Sequence, residues 1–167
     1  MTADVATFKK GMRQLAGGVT LITTCCEGLR GGLTATAVCS VSAAPPQLLV
    51  CVNKTASAHD PIGQSGIFCV NVLATKHIAL ALRFSGQEGI DGDARFDDKT
   101  GWRTLTTGAP VLADALVNFD CKLINRVDVG THTIYIGSIV DVAVNDGSPL
   151  IYADGLFVTP QAIAATG

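Results

Sequence analysis

The chain opens on a helical period, then changes to a strand period that lasts, with interruptions, to its end. Val5, Phe8, Met12 and Leu15 recur at three- and four-residue steps. This predicts a helix with one apolar stripe, started by Asp4 or Thr2 and stopped by Gly17-Gly18. From Val19 to Thr24 β-branched residues fill nearly every position, and from Thr34 to Val41 they mix with small ones, so both stretches read as strands. Gln47 to Asn53 encloses a continuous apolar run, which predicts a strand buried on both faces and opened by Pro45-Pro46. A short helix is expected over Ala58 to Gln64 and a strand over Ile67 to Leu73. A third helix follows from Lys76 to Phe84, with Thr75 as its N-cap and Ile78 and Leu82 as its stripe. Ser85 to Gly101 is glycine-rich, charged and aperiodic, the signature of a long functional or mobile loop.

The last third is again strand-like: Val111-Leu112, Ala115 to Val127, His132 to Val144, Pro149 to Tyr152 and Leu156-Phe157. Asn145-Asp146-Gly147 and Ala153-Asp154-Gly155 mark turns between them. Short, closely spaced strands without strand–helix alternation predict a mainly β fold: a barrel with peripheral helices, in one domain over residues 1–167.

Composition sharpens this picture in two respects. The chain is 48% hydrophobic and only 16% charged, so a monomer would struggle to cover its surface; a homodimer is expected, although a large apolar pocket would use the same residues. A net charge of −2 without any Lys/Arg cluster excludes the electrostatic footprint of a nucleic-acid binder. The charged N-terminus does not read as a signal peptide, and no apolar stretch is long enough to span a membrane. Cys39, Cys51, Cys69 and Cys121 sit in apolar runs, no C-x-x-C pair occurs, and Cys25-Cys26 is the one adjacent pair. Reduced thiols in a cytoplasmic protein are therefore expected, with no metal site.

Candidate chemistry is sparse. No G-x-S-x-G elbow, G-x-x-x-x-G-K-[ST] loop or H-E-x-x-H helix is present, and the glycines from Gly28 to Gly32 read as a turn between strands. Of the three histidines, His77 reads as a surface residue, and His59 either faces an anion or lies on the surface. His132, in Gly130-Thr131-His132-Thr133 at a strand mouth, is either a ligand contact or a satisfied structural histidine. Thr34 to Ser40 alternates small hydroxyl and small apolar residues. That strand either packs tightly against a neighbour or leaves room, with hydroxyl and backbone donors, for something flat and polar-edged.

Taken in order, these segments resemble the flavin-reductase family built on the FMN-binding split barrel. The likeness rests on Gly18 to Thr24, Leu33 to Lys54, Ser65 to Leu73, Phe84-Ser85-Gly86, Arg95-Phe96, Trp102, Gly130 to Ile134 and Pro149 to Tyr152. Many relatives carry Gly-Asp-His where this chain has Gly130-Thr131-His132. Gly-Thr-His narrows the resemblance to reductase components of two-component aromatic hydroxylases and to pyrimidine-degradation flavin reductases.

The resemblance implies an NADH-dependent reductase of FMN or FAD on a split, Greek-key β-barrel, supplying free reduced flavin to a separate monooxygenase. It places Thr34, Ala35, Thr36, Ala37, Val38 and Ser40 along the flavin ring and ribityl chain, with Cys51 and Tyr152 among the cofactor residues. Asn53, Lys54 and Ser57 would hold the ribityl or phosphate end, where an ammonium and hydroxyls suit an oxyanion. Phe84, Ser85 and Gly86 would close over the flavin, and His132 would meet the nicotinamide, with Gly130 and Thr131 beside it. Arg95 would reach the NADH phosphates if the long loop swings it in. The alternatives are a flavin-binding electron carrier or sensor on the same barrel and, ranked last, an oxidase of pyridoxamine-phosphate type. Hydride transfer between two cofactors needs no acid or base from the protein, which accounts for the missing catalytic motifs.

Overall fold

The computed structural model describes residues 3–97 and 99–163. In chain order it runs α1 (Val5–Met12), β1 (Gly17–Gly18), β2 (Thr20–Cys26), β3 (Leu29–Ala35), β4 (Val38–Ala43) and β5 (Pro46–Asn53). Next come α2 (His59–Ser65), β6 (Ile67–Val72), a 3₁₀ turn at Thr75–His77, α3 (Ile78–Phe84) and a second 3₁₀ turn at Gly92–Arg95. The chain ends through β7 (Trp102–Thr104), β8 (Pro110–Leu112), β9 (Val117–Val129), β10 (His132–Val144), β11 (Ile151–Ala153) and β12 (Leu156–Val158).

Seven strands form one antiparallel sheet in the order β3-β2-β6-β9-β10-β5-β4. Its two edge strands, β3 and β4, are consecutive in the chain and joined only by Thr36 and Ala37. The sheet must therefore curl until its ends meet at that corner, yet no ladder pairs β3 with β4 among the described residues. This is a barrel left split along one seam. Ala37 knits the corner, its carbonyl accepting from the Cys51 amide at 3.0 Å.

The inner core packs Ile22, Val50, Val52, Ile62, Phe68, Val70 and Tyr135. A second core lies outside the wall, where Val19, Leu21, Leu73 and Leu112 meet Ala81 and Phe84 of α3 and Phe96 of the long loop. Leu21 and Ile22 serve opposite cores, which is why β2 is an unbroken apolar and threonine run. Asn71 fastens the two layers, accepting from the Leu112 amide at 2.8 Å and donating to the Leu21 carbonyl at 3.1 Å.

Several local expectations are corrected. Asp4 caps α1 by accepting from the Thr7 amide, while Thr2, the alternative cap, lies outside the described residues. The helix ends at Met12, short of the expected stop at Gly17-Gly18, and buries nothing: Val5, Phe8 and Met12 are exposed, as is Leu15 beyond it. β5 alternates buried and half-buried residues instead of being covered on both faces, and among the described residues no helix packs substantially on it. Thr34 to Val41 is broken at Thr36-Ala37 into two strands, since the chain must turn the barrel corner there. Thr75 sits within the 3₁₀ turn and does not cap α3, whose buried residues are Ala81 and Phe84 while Ile78 is exposed.

His77 is buried, not superficial: its ring accepts from the Ala74 amide at 3.1 Å and meets Asp114 at 3.1 Å. Burial lowers its pKa, and Asp114 opposes that shift. All six cysteines are free, and Cys39 is exposed on the edge strand β4. No helix among the described residues is long and apolar enough to cross a membrane.

Candidate functional site

A cleft of about 560 Å³ opens at the split, within the range of small-molecule sites. One wall is the end of β3, from Leu33 to Thr36; the opposite side is α3 with Ala81, Leu82, Phe84 and Ser85. Asn53, Thr55, Ala56 and Ser57, following β5, form one end, and Tyr152 and Phe157 of β11 and β12 edge the cleft. Gln87, Asp91 and Arg95 come from the long loop.

The β3 wall carries the most informative geometry. In an antiparallel ladder the backbone N–H and C=O of one residue point to the same side, and the side alternates along the strand. The Gly32 carbonyl accepts from Nη1 of Arg95 at 2.9 Å, so Gly32 faces away from β2. Two residues on, Thr34 therefore presents its own N–H and C=O to the cleft along the strand's free edge. Its side-chain hydroxyl is already committed, donating to the Ala81 carbonyl at 2.7 Å. The wall thus offers a backbone donor–acceptor pair set among small side chains, and it fits a flat, polar-edged ring.

Gly32 also lets α3 approach. A Cβ there would lie 2.8 Å from Cε1 of Phe84, a distance no packed side chain tolerates. The Phe84 ring stacks edge-on to Phe96 with centroids 4.9 Å apart and touches Trp102 at 5.8 Å. Phe84 is 1% exposed, so it backs the cleft as part of its wall and does not close over it from outside.

The long loop is held down at several points. Arg30 grips Asp93 at 2.7 and 3.0 Å, and its guanidinium lies 5.0 Å from the Phe96 ring centroid. Arg83 pairs with Asp97 at 2.6 Å. Arg95 is 8% exposed and donates from Nε to the Ile90 carbonyl at 2.8 Å as well as to Gly32. The expectation that the loop swings Arg95 in or leaves it in water is thereby corrected: Arg95 is a buried brace whose edge faces the cleft.

The loop's carboxylates hold their pKa values low because of these contacts. Asp93 is lowered by hydrogen bonds from Arg30. Asp97 is brought from 3.8 to about 2, first by the Thr100 hydroxyl and then by Arg83. A carboxylate with a depressed folded-state pKa stabilises the fold above its ordinary pKa, and that contribution is lost as pH falls through the folded value. The loop is expected to stay docked down to about pH 4 and to release between about 3.8 and about 2. Trp102, whose ring lies 4.8 Å from Phe96, reports this as a fluorescence change over that interval and none above it.

Of the residues implicated from sequence, Thr34, Ala35, Thr36, Asn53, Ser57, Phe84, Ser85, Arg95 and Tyr152 line the cleft. Ala37, Val38, Ser40 and Cys51 do not: Val38 packs against the inner core, Ser40 is exposed on β4, and Cys51 lies within β5. Gly86 lies just behind the lining, with an added Cβ 3.6 Å from Nη2 of Arg95. Lys54, Gly130, Thr131 and His132 form the adjoining corner, where the Lys54 amide donates to the Thr131 carbonyl at 2.9 Å and His132 faces Asn53 across the ladder. His132 is exposed, and its Nδ1 meets the Thr131 hydroxyl at 2.9 Å.

His59 sits behind the Asn53 end, bonded through one ring nitrogen to Asp60 at 2.7 Å and through the other to the Thr133 hydroxyl at 2.8 Å. Sequence reasoning missed Val19, Leu33, Thr55, Ala56, Ala81, Leu82, Gln87, Asp91 and Phe157 as lining residues. Only Asp91 and Gln87 carried a signal, as polar positions in a loop too long to be a mere connector. No cluster of His, Cys, Asp or Glu among the described residues could hold a metal.

Comparison with known proteins agrees with this geometry. The model of the flavin reductase like domain family matches residues 12–160. A curated protein of Methylorubrum extorquens (strain PA1), FMN reductase (NADH) RutF 1, is 43% identical over 160 residues, covering 95% of this chain and 78% of its own. The solved structure of flavin reductase PheA2 superposes with a TM-score of 0.87 at 32% identity, covering 96% of this chain and 100% of the other. BorF, the flavin reductase component of a bacterial two-component tryptophan halogenase, superposes at 0.83 and 30% identity over 93% of this chain and 98% of its own. With a split barrel, a cleft at its seam and a family match over nearly its whole length, the chain belongs to the flavin reductase like domain family.

Proposed function

We propose that this protein is an NADH-dependent flavin reductase that reduces FMN, or FAD, and releases it to a separate flavin-dependent monooxygenase. The observation that carries the reading is the free backbone edge at Thr34, on a wall of small side chains from Thr34 to Thr36, facing a cleft of about 560 Å³. When bound there, the flavin and the nicotinamide supply the hydride chemistry themselves. The chain's part is positioning. The Thr34 backbone would read the ring's polar edge, while Ala35 and Thr36 keep the wall flat. Phe84, backed by Phe96 and Trp102, fixes how far α3 stands from that wall, which sets the spacing available to stacked rings. Asn53 and Ser57 would take the ribityl and phosphate end, with Lys54 at the adjoining corner. His132, at the mouth opposite Asn53, would meet the nicotinamide side.

The decisive experiment is anaerobic NADH oxidation by the purified protein, followed by absorbance, with added FMN and then FAD. Rapid flavin-dependent loss of NADH is the expected result, and the two rates rank the flavins. Flavin binding without turnover would overturn the reductase reading in favour of a carrier or sensor. In the same assay His132→Ala is expected to raise KM for NADH or lower kcat while leaving flavin affinity intact; unchanged kinetics would remove His132 from the site.

A homodimer in the cytoplasm completes the proposal. The outer faces of antiparallel sheets are ordinarily polar, but here Val140, Val142 and Val144 of β10 and Ile124, Val127 and Val129 of β9 are exposed. The bare stripe of α1 adds Val5, Phe8 and Met12, and Leu15 just beyond the helix extends it. A second copy is the occupant that would cover so much apolar surface, and six free thiols suit a reducing compartment. Light scattering at twice the 17.2 kDa chain mass is the expected result.

A further inference from the structure

At the Ser57 end the cleft already holds a negative charge. Asp91 lines it with a carboxylate whose Oδ1 stands 3.2 Å from Nη2 of Arg95 and accepts from the Gly92 amide at 3.0 Å. Ser57 lines the same end of the cleft, and its hydroxyl helps to hold the Asp91 pKa low. Ser57 also borders a second hollow of about 290 Å³ lined by Cys26, Arg30 and Asp93, so it stands where the two spaces adjoin. Arg95 cannot follow a moving partner, because its Nε and Nη1 are tied to the Ile90 and Gly32 carbonyls. Asp91 can move: its side chain is 70% exposed, and Gly89 and Gly92 on either side adopt positive φ values of 67° and 56°.

A hydroxyl and the edge of a braced guanidinium are the donors a phosphate oxyanion seeks. Asp91 is paired with the guanidinium and shares the lining of the cleft with the hydroxyl. The geometry points to Asp91 as a specificity-determining residue, an internal anion that competes with the flavin's phosphate for Ser57 and Arg95 and so weakens the retention of phosphorylated flavins. This rests on the reading that the phosphate lies at the Ser57 end. A phosphate arriving there must displace the carboxylate and then sit beside it, and like charges at such range repel appreciably even near a surface. A reductase that hands its product to another protein benefits from holding that product loosely, and Asp91 supplies a return force once the flavin leaves.

The test is equilibrium titration by quenching of flavin fluorescence at low ionic strength, with oxidised FMN and with riboflavin, which has no phosphate. Asp91→Asn keeps the side chain's size and removes its charge at an exposed position, so the fold is retained; circular dichroism verifies this. Asp91→Asn is expected to bind FMN about tenfold more tightly, the ratio given by ~1.4 kcal/mol of relieved repulsion, and riboflavin as before. Equal tightening of both flavins, or of neither, overturns the proposal. Ser57→Ala separates the two levels of failure. If it weakens FMN relative to riboflavin while Asp91→Asn changes nothing, the role of Asp91 falls and the site stands. If neither substitution distinguishes the two flavins, the placement of the phosphate falls with it.

Discussion

Thr36→Trp is expected to abolish flavin binding and NADH oxidation while leaving the fold intact. Thr36 is exposed, lines the cleft, and forms half of the join between the two edge strands. An indole placed there has little room to retreat: a Cβ on Gly17 of β1 would lie 3.0 Å from the Thr36 Cβ, so the chain behind is already close. The ring must fill the cleft, and the loss should reach about 100-fold or more in affinity, some 2.7 kcal/mol. Fluorescence titration and a thermal unfolding curve check the two halves of the expectation. Normal flavin titration with a native unfolding midpoint would show that the β3 wall is not the platform.

The largest effect on stability is expected from Gly137→Ala. Gly137 is buried in β10 beside a register shift, and a Cβ there would stand 2.5 Å from Cζ of Phe68 and 2.9 Å from Cβ of Cys121. Phe68 is fully buried in the inner core, and the Cys121 Cβ is fixed directly to the backbone of β9, so neither can give way cheaply. Overpacking of this kind costs about 3 kcal/mol, which lowers the melting temperature of a chain this long by roughly 10 °C. Phe68→Leu in the same background should recover part of the loss, because the two residues contest one volume. A melting temperature within about 2 °C of the parent, the effect of a ~1 kcal/mol change, would show that the barrel interior is looser than its contacts indicate.

Local periodicity revealed much of the fold. β6 and β10 lie where apolar alternation and glycine turns put them, since a two-residue period and a turn are properties of neighbouring residues. α1 shows where that reading stops. Its period reports an apolar face but not what covers it, and among the described residues nothing in this chain does. His77 escaped for a similar reason: its partner Asp114 lies 37 residues away in sequence. In the site, Thr34 and Thr36 were legible because an all-small strand is unusual in itself. The commitment of the Thr34 hydroxyl to Ala81, the brace from Arg95 to Gly32 and the meeting of Asp91 and Ser57 on one cleft lining join segments whose meeting no local pattern encodes.

The strand order carries a consequence for how the molecule assembles. β2 with β3, β4 with β5, and β9 with β10 are hairpins whose partners are neighbours in sequence. β6 belongs to none of them. It lies between β2 and β9, pairing Thr20 with Val72 on one side and Ile67 with Lys122 on the other. The hairpins can form independently and early, but they become one sheet only when β6 bridges the first to the last and β5 meets β10, pairing Asn53 with His132. Closing such distant pairings costs loop entropy before it is rewarded, which places folding in the millisecond-to-second range of non-local β topologies. β6 is thus the keystone of assembly, and substitutions such as Val70→Ala should slow folding more than equally destabilising ones at the tips of the hairpins.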